Sequence, residues 1–172
     1  MKIMATQSDL DACYMQVAEA HAALSKGVRG KVGACLVTKH GVVLGGTNGL
    51  APDGDNTLEI KEYMDIGAGG WLDPEEIYEI WPYTDEGGRY KLTTKPQTIH
   101  AELSCILKAA KEGLSVVGST LYVSLSPCIA CSEMIAAAGV GRVVYKDAYR
   151  LTDGIENLKK LNLEVEHWRD HE

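Results

Sequence analysis

No apolar run in this 172-residue chain approaches the roughly 18 residues that a membrane-crossing helix needs. The opening residues, MKIMATQSDL, carry no apolar signal region, so a reducing cytoplasm is the expected compartment. Basic residues are in the minority. Against 24 Asp and Glu stand 17 Lys and Arg, a net charge of −7, which is the wrong sign for a nucleic-acid partner. A small anionic ligand is still compatible, because it needs only a local basic pocket. Phenylalanine is missing, and Tyr and Trp take its share. The five cysteines are an odd number; Cys13, Cys35 and Cys105 fall within apolar helical or strand patterns and read as buried thiols, not as a disulfide framework. There is no second C-x-x-C and no H-x-x-x-H, so the ligands of a closed, four-coordinate structural zinc site are lacking. Internal repeats and low-complexity tracts are also absent.

Two short stretches carry the chemistry: His100-Ala101-Glu102 and Pro127-Cys128-Ile129-Ala130-Cys131. One imidazole and two thiolates make three ligands of a tetrahedral Zn2+, with the fourth position open to water. The ion then lowers the pKa of that water to roughly 7. Glu102, next but one to His100, is the natural proton carrier for it. Leu103, Ile106, Leu107 and Ala110 follow helical spacing, so His100 and Glu102 open an amphipathic helix. Cys128 and Cys131, three apart behind Pro127, share one face of another helix start. Helix beginnings carry partial positive charge, which favours thiolate and carboxylate alike. By itself C-x-x-C fits a redox pair or half of a structural zinc site, and H-x-E alone says almost nothing.

The rest of the chain supplies a frame. Ser8 is a candidate cap for a first helix with an apolar stripe at Leu10, Cys13, Tyr14, Val17, His21 and Leu24, ended by Gly27. The segments 31–38 and 41–46 read as a hairpin. Asn48, in Thr47-Asn48-Gly49 just after the second strand, either serves a turn or aims its amide into a site. Between 50 and 97 the periodicity fails. This mostly irregular insert holds Tyr63, Trp71, Tyr78, Trp81, Tyr83 and Tyr90, and Asp73-Pro74-Glu75-Glu76 marks one helix start within it. An insert of this kind serves as a lid, an oligomer contact or an effector region, and it has no Cys or His for a second metal. Helix 100–112, strand 119–125, helix 128–138, a strand at 142–145, a short helix around Ile155–Leu161 and a last strand at Leu163–Val165 follow. A hairpin followed by α-β-α-β-α-β makes an α/β fold: a mixed sheet with helices on both faces and the metal residues where chain leaves sheet for helix. The chain reads as a single domain, 1–172, interrupted by the insert.

The stretches TIHAELSCILKAA, TLYVSLSPCIACSEMIAAAGVGRVVY and KDAYRLTDGIENLKKLNLEV resemble the zinc-dependent cytidine deaminase superfamily, whose signature is H-x-E … P-C-x-x-C. GTNGLAPDGDN and the insert before H-A-E are similar to its deoxycytidylate (dCMP) deaminase branch. The resemblance implies a three-layer α-β-α sandwich around a five-stranded sheet. It also implies hydrolysis of dCMP to dUMP and ammonia, which supplies dUMP for thymidylate synthesis in a bacterial or phage-infected host cytosol. His100, Cys128 and Cys131 become the ligands of one catalytic Zn2+, and Glu102 the proton shuttle. Asn48 matches a residue that contacts the sugar 3′-hydroxyl, Tyr149 a pocket tyrosine, and main-chain groups beside Ala101 and Ser126 hold the edge of the base. A homo-oligomer, a hexamer above all, is implied, with dCTP and Mg2+ as activator and dTTP as inhibitor. Relatives with a second zinc use a Cys at a position that here falls within Gly54-Asp55-Asn56, so one zinc per chain is expected. Relatives commonly read HAE-x-NA where this chain reads HAELSC. Because the insert is acidic, the phosphate contacts are sought at Arg29 and Lys31. The rival readings are a superfamily deaminase acting on cytidine, guanine or a riboflavin-pathway pyrimidine, or a nucleotide sensor with little turnover, for which Glu102 would have no use.

Overall fold

The computed structural model describes residues 5–52, 56–65, 67 and 71–169. Gly54 and Asp55, two of the three residues at the second-zinc position, lie outside the described residues. Helix α1 spans Gln7–Ala23, and strands β1 (Gly33–Val37) and β2 (Val43–Thr47) form the expected hairpin. The insert contributes β3 (Glu59–Tyr63), α2 (Pro74–Ile80), β4 (Tyr83–Asp85) and β5 (Gly88–Thr94). The alternating remainder is α3 (Ala101–Lys111), β6 (Thr120–Leu125), α4 (Ile129–Ala137), β7 (Arg142–Asp147), α5 (Asp153–Lys160) and β8 (Glu164–His167).

Five strands form one mixed sheet in the order β2-β1-β6-β7-β8. The β1 strand runs antiparallel to β2 and β6, whereas β6, β7 and β8 are parallel, joined through α4 and α5. Alternate residues of each strand serve opposite faces. Ala34, Leu36, Leu121, Val123 and Val143 pack under α3, α4 and α5 with Cys105, Ala109, Ile135 and Leu158. On the other face, Cys35, Tyr122 and Val144 pack against Met15 and Ala18 of α1. Three layers result, as the α-β-α expectation requires. Among the described residues no helix is long and apolar enough to cross a membrane.

Three local expectations are corrected. The first helix is capped by Thr6, not Ser8: Thr6 Oγ1 accepts from the Asp9 backbone N–H, and the Asp9 side chain answers at the Thr6 N–H, a capping box. Its buried face is Asp11, Met15 and Ala18, so Cys13, Leu10 and Leu24 are exposed. Among its described residues the insert is not mostly irregular. Its strands β3, β5 and β4 form a separate antiparallel sheet, while Asp73 caps α2 with Pro74 in the first turn, as its sequence indicates. The neck of the insert is closed by main-chain bonds: Gly49 and Ile99 exchange N–H···O bonds of 3.0 and 2.8 Å, and the Lys95 N–H reaches Leu58 O at 2.8 Å.

Two glycines set the helix beginnings that matter. A Cβ on Gly46 of β2 would lie 2.3 Å from Ala101 O, so only glycine lets the start of α3 approach that strand so closely. A Cβ on Gly154 of α5 would lie 2.0 Å from Pro127 O, directly against the turn into α4.

Candidate active site

His100 and Cys128 are the N-cap residues of α3 and α4, both with extended backbone (φ −70°, ψ 157° and φ −74°, ψ 170°) and neither closing its helix with a side-chain bond. Both side chains are thereby available to the space between the two helix beginnings. His100 Nδ1 lies 3.3 Å from Cys131 Sγ and 3.7 Å from Cys128 Sγ, and the three donor atoms fall within 4.8 Å of one another. Ligand bonds of about 2.0–2.3 Å around one tetrahedral ion set such donors roughly 3.6–3.8 Å apart, so the group fits a single zinc. His100 is exposed, Cys128 half-buried and Cys131 buried. Hydrogen bonding to Cys131, and then to His100, holds the Cys128 thiol down to about 3. Cys131 is pushed upward by that same sharing and by burial. Cys35 and Cys105 are a different population: buried among apolar neighbours, each thiol is pushed up to about 12 and stays protonated.

Glu102 sits at the second position of α3 and is 3% exposed. Burial pushes its carboxyl upward, against smaller opposing contributions from the helix backbone and His100. Together with His100, Ala101 and Cys128 it lines a cavity of about 240 Å³. Asn48, Ser126, Tyr149 and Arg29 line the same cavity, so the residues singled out in the sequence converge on it. Two singled-out residues are not among the lining residues: Cys131, which is buried, and Lys31, which is exposed.

The supporting bonds explain how the walls hold their places. Asn48 Oδ1 accepts from the Val32 N–H at 2.9 Å and its Nδ2 donates to Gly30 O at 3.1 Å, pinning the loop that carries Arg29. Ser126 is buried; its Oγ accepts from the Tyr149 N–H at 2.8 Å and its own N–H donates to Asp147 O at 2.8 Å, fastening the segment after β7 to the end of β6.

Seven lining residues escaped the sequence reading: Gly30, Val32 and Leu125, and, at the neck of the insert, Leu58, Glu59, Thr94 and Thr98. The usable signal was weak, since Glu59 opens a charged stretch, EIKEY, that reads as solvated strand.

A family model for the cytidine and deoxycytidylate deaminase zinc-binding region matches residues 8–147. The deoxycytidylate deaminase of Mycobacterium phage D29 is 34% identical over 140 residues, 81% of this chain and 96% of that protein. The deoxycytidylate deaminase of Enterobacteria phage T4 is 40% identical over 84 residues, 42% of this chain and 44% of that protein, so the match spans less than half of that relative. Among solved structures, the dCMP deaminase of cyanophage S-TIM5 in complex with dCMP and dUMP superposes with a TM-score of 0.73 at 34% identity, covering 95% of this chain and 100% of that one. With the His100, Cys128, Cys131 cluster and the five-stranded sheet that carries it, this chain belongs to the cytidine and deoxycytidylate deaminase zinc-binding family.

Proposed function

We propose that this chain, acting as a single deaminase domain, hydrolyses dCMP to dUMP and ammonia. The observation that carries the proposal is a buried carboxyl, Glu102, on the same cavity wall as a donor set fit for one zinc ion. Zinc held by His100, Cys128 and Cys131 would supply a Lewis acid and a water of lowered pKa at that end of the cavity. Glu102 takes the proton of the attacking water and delivers it to N3 of the cytosine, which makes C4 electrophilic. The water oxygen bonds to C4, Glu102 takes the remaining proton from the resulting C4 hydroxyl and passes it to the departing amine, and the C4–N4 bond breaks to leave the C4 carbonyl and ammonia. Its upward-shifted carboxyl suits it to hold a proton between the two transfers. Main-chain groups beside Ala101 and Ser126 fix the edge of the base, Tyr149 closes one side, and Arg29 meets the phosphate.

The dCTP and dTTP response, with Mg2+ carried on the triphosphate, we assign to a second cavity of about 480 Å³ lined by Lys26, Lys108 and Lys111 beside Gly49 and Asn56, whose charge suits a polyphosphate. The exposed Trp71, Tyr78 and Tyr83 of the insert supply apolar surface for a homo-oligomer, a hexamer in the family's manner, working in the cytosol. Ammonia release from dCMP by the zinc-loaded protein, with and without dCTP, is the test. Turnover of dCMP in preference to cytidine, guanine and a riboflavin-pathway pyrimidine supports the proposal. Binding of dCTP without turnover of dCMP would instead establish a sensor.

A further inference from the structure

The turn that carries both cysteines is braced from behind by α5. Only Ile129 and Ala130 separate Cys128 from Cys131, so the spacing of the two sulfurs depends on how that turn is held. Ser132, the next residue, is fully buried. Its Oγ donates to Ile129 O at 2.7 Å, and its backbone N–H donates to Cys128 O at 2.9 Å. A hydroxyl has one proton, and here it is spent on Ile129 O, so toward α5 the oxygen can only accept. Asn157 of α5 supplies the donor. Its Nδ2 reaches Ser132 Oγ at 3.0 Å and, with the second hydrogen, Glu133 Oε1 at 2.7 Å. Three residues earlier on the same face of α5 stands Gly154, where a Cβ would lie 2.0 Å from Pro127 O and 2.8 Å from the Cys128 carbonyl carbon. One face of α5 therefore holds both ends of the ligand-bearing turn.

We propose that Asn157 is a positioning residue for the metal site, acting through the Ser132 hydroxyl. Asn157 does not line the cavity and takes no part in the chemistry proposed above. By donating to Ser132 Oγ it occupies the oxygen as an acceptor and leaves the hydroxyl proton directed at Ile129 O. That bond fixes the peptide between the two cysteines, and with it the angle from which Cys131 meets the ion. Without the amide, the buried hydroxyl loses a partner and is free to turn away from Ile129 O. The turn then samples other conformations, and the sulfurs are held less strictly to the spacing of a tetrahedral ion. This inference rests on the zinc reading above and not on the identity of the substrate.

The test is zinc affinity, measured by chelator competition on the full chain at a temperature where melting shows each protein folded. Wild type is compared with Asn157→Ala, Ser132→Ala and the double variant. Asn157→Ala should bind zinc about tenfold more weakly, the low end for residues that orient metal ligands from outside. Ser132→Ala should do the same, and the double variant should lose no more than about twofold beyond either single one, because both act through one bond. Asp11→Ala, destabilised from the other face of the sheet, should keep the wild-type affinity. If Asn157→Ala does not fold, Asn157→Asp decides instead: it keeps the size, removes the donor, and should lose zinc affinity to the same degree. Wild-type affinity in the Asn157 variant overturns the inference. So do single losses that multiply in the double variant, or an Asp11→Ala loss equal to that of Asn157→Ala, since either reduces Asn157 to a general staple between α4 and α5. A wild type that binds no zinc refutes the zinc reading itself, and this inference with it.

Discussion

Removing the Asp11 carboxylate should cost this fold about 3 kcal/mol, the low end of the range for breaking one partner of a buried ion pair. Asp11 is 4% exposed on the sheet-facing side of α1. It accepts from Arg142 Nη1 at 2.8 Å and Nη2 at 2.7 Å, from Tyr122 Oη at 2.7 Å and from Gln7 Nε2 at 2.8 Å. One side chain thus ties α1 to β6 and β7. Arg142 is itself 12% exposed, but in an Asp11→Ala variant it keeps Glu166 at 2.5 Å and Glu164 at 3.3 Å, which is why the low end applies. At this chain length about 3 kcal/mol lowers Tm by roughly 6–12 °C. Burial alone would push the Asp11 carboxyl up, yet the bonds from Arg142, Tyr122 and Gln7 together hold it below the usual carboxylate range. A carboxylate with a depressed folded pKa adds stability that is complete above the unfolded value, about 3.9, and is lost as pH falls through the folded one. The gap between wild type and Asp11→Asn should therefore be constant from about pH 5 to 8 and close below about pH 4. Thermal melts across that pH series read both numbers. A shift under about 1 kcal/mol, or a gap that does not close in acid, refutes the reasoning.

Glu102→Gln should keep fold and zinc but lose about 10²–10⁴ in kcat, checked by ammonia release beside metal analysis; near-normal turnover removes Glu102 from the mechanism. Gly154→Ala places a methyl carbon 2.0 Å from Pro127 O, so stability should drop by about 1–3 kcal/mol and zinc should bind more weakly as the Pro127–Cys128 turn is displaced, read by melting and chelator competition.

The metal centre was readable because each half of its motif sits at a helix beginning, where a three-residue spacing fixes which atoms meet. The sheet was readable because its strands are short apolar runs with clear turns. The face of α1 was misread for a physical reason: its buried stripe runs through Asp11, a charge that hydropathy assigns to solvent and that distant partners, Arg142 131 residues away and Tyr122 111 residues away, make compatible with burial. Its cap was placed two residues late because Gln7 and Ser8 are exposed and polar, leaving no apolar periodicity to mark the first turn. The insert hid its sheet because β3 and β5 are largely exposed or half-buried on both faces, so neither gives a clean alternation. Glu59 was invisible for the same reason. Its partners, Val28 and Arg29, are main-chain donors some 30 residues earlier, and no side-chain pattern announces them.

Zinc content per chain, measured on the purified wild type beside Cys131→Ala, bears most directly on the metal centre from which the rest follows. One zinc per wild-type chain and close to none in the variant is the expected pair of values. Two zinc ions per wild-type chain, or a full complement kept by Cys131→Ala, would contradict a single site built from His100, Cys128 and Cys131.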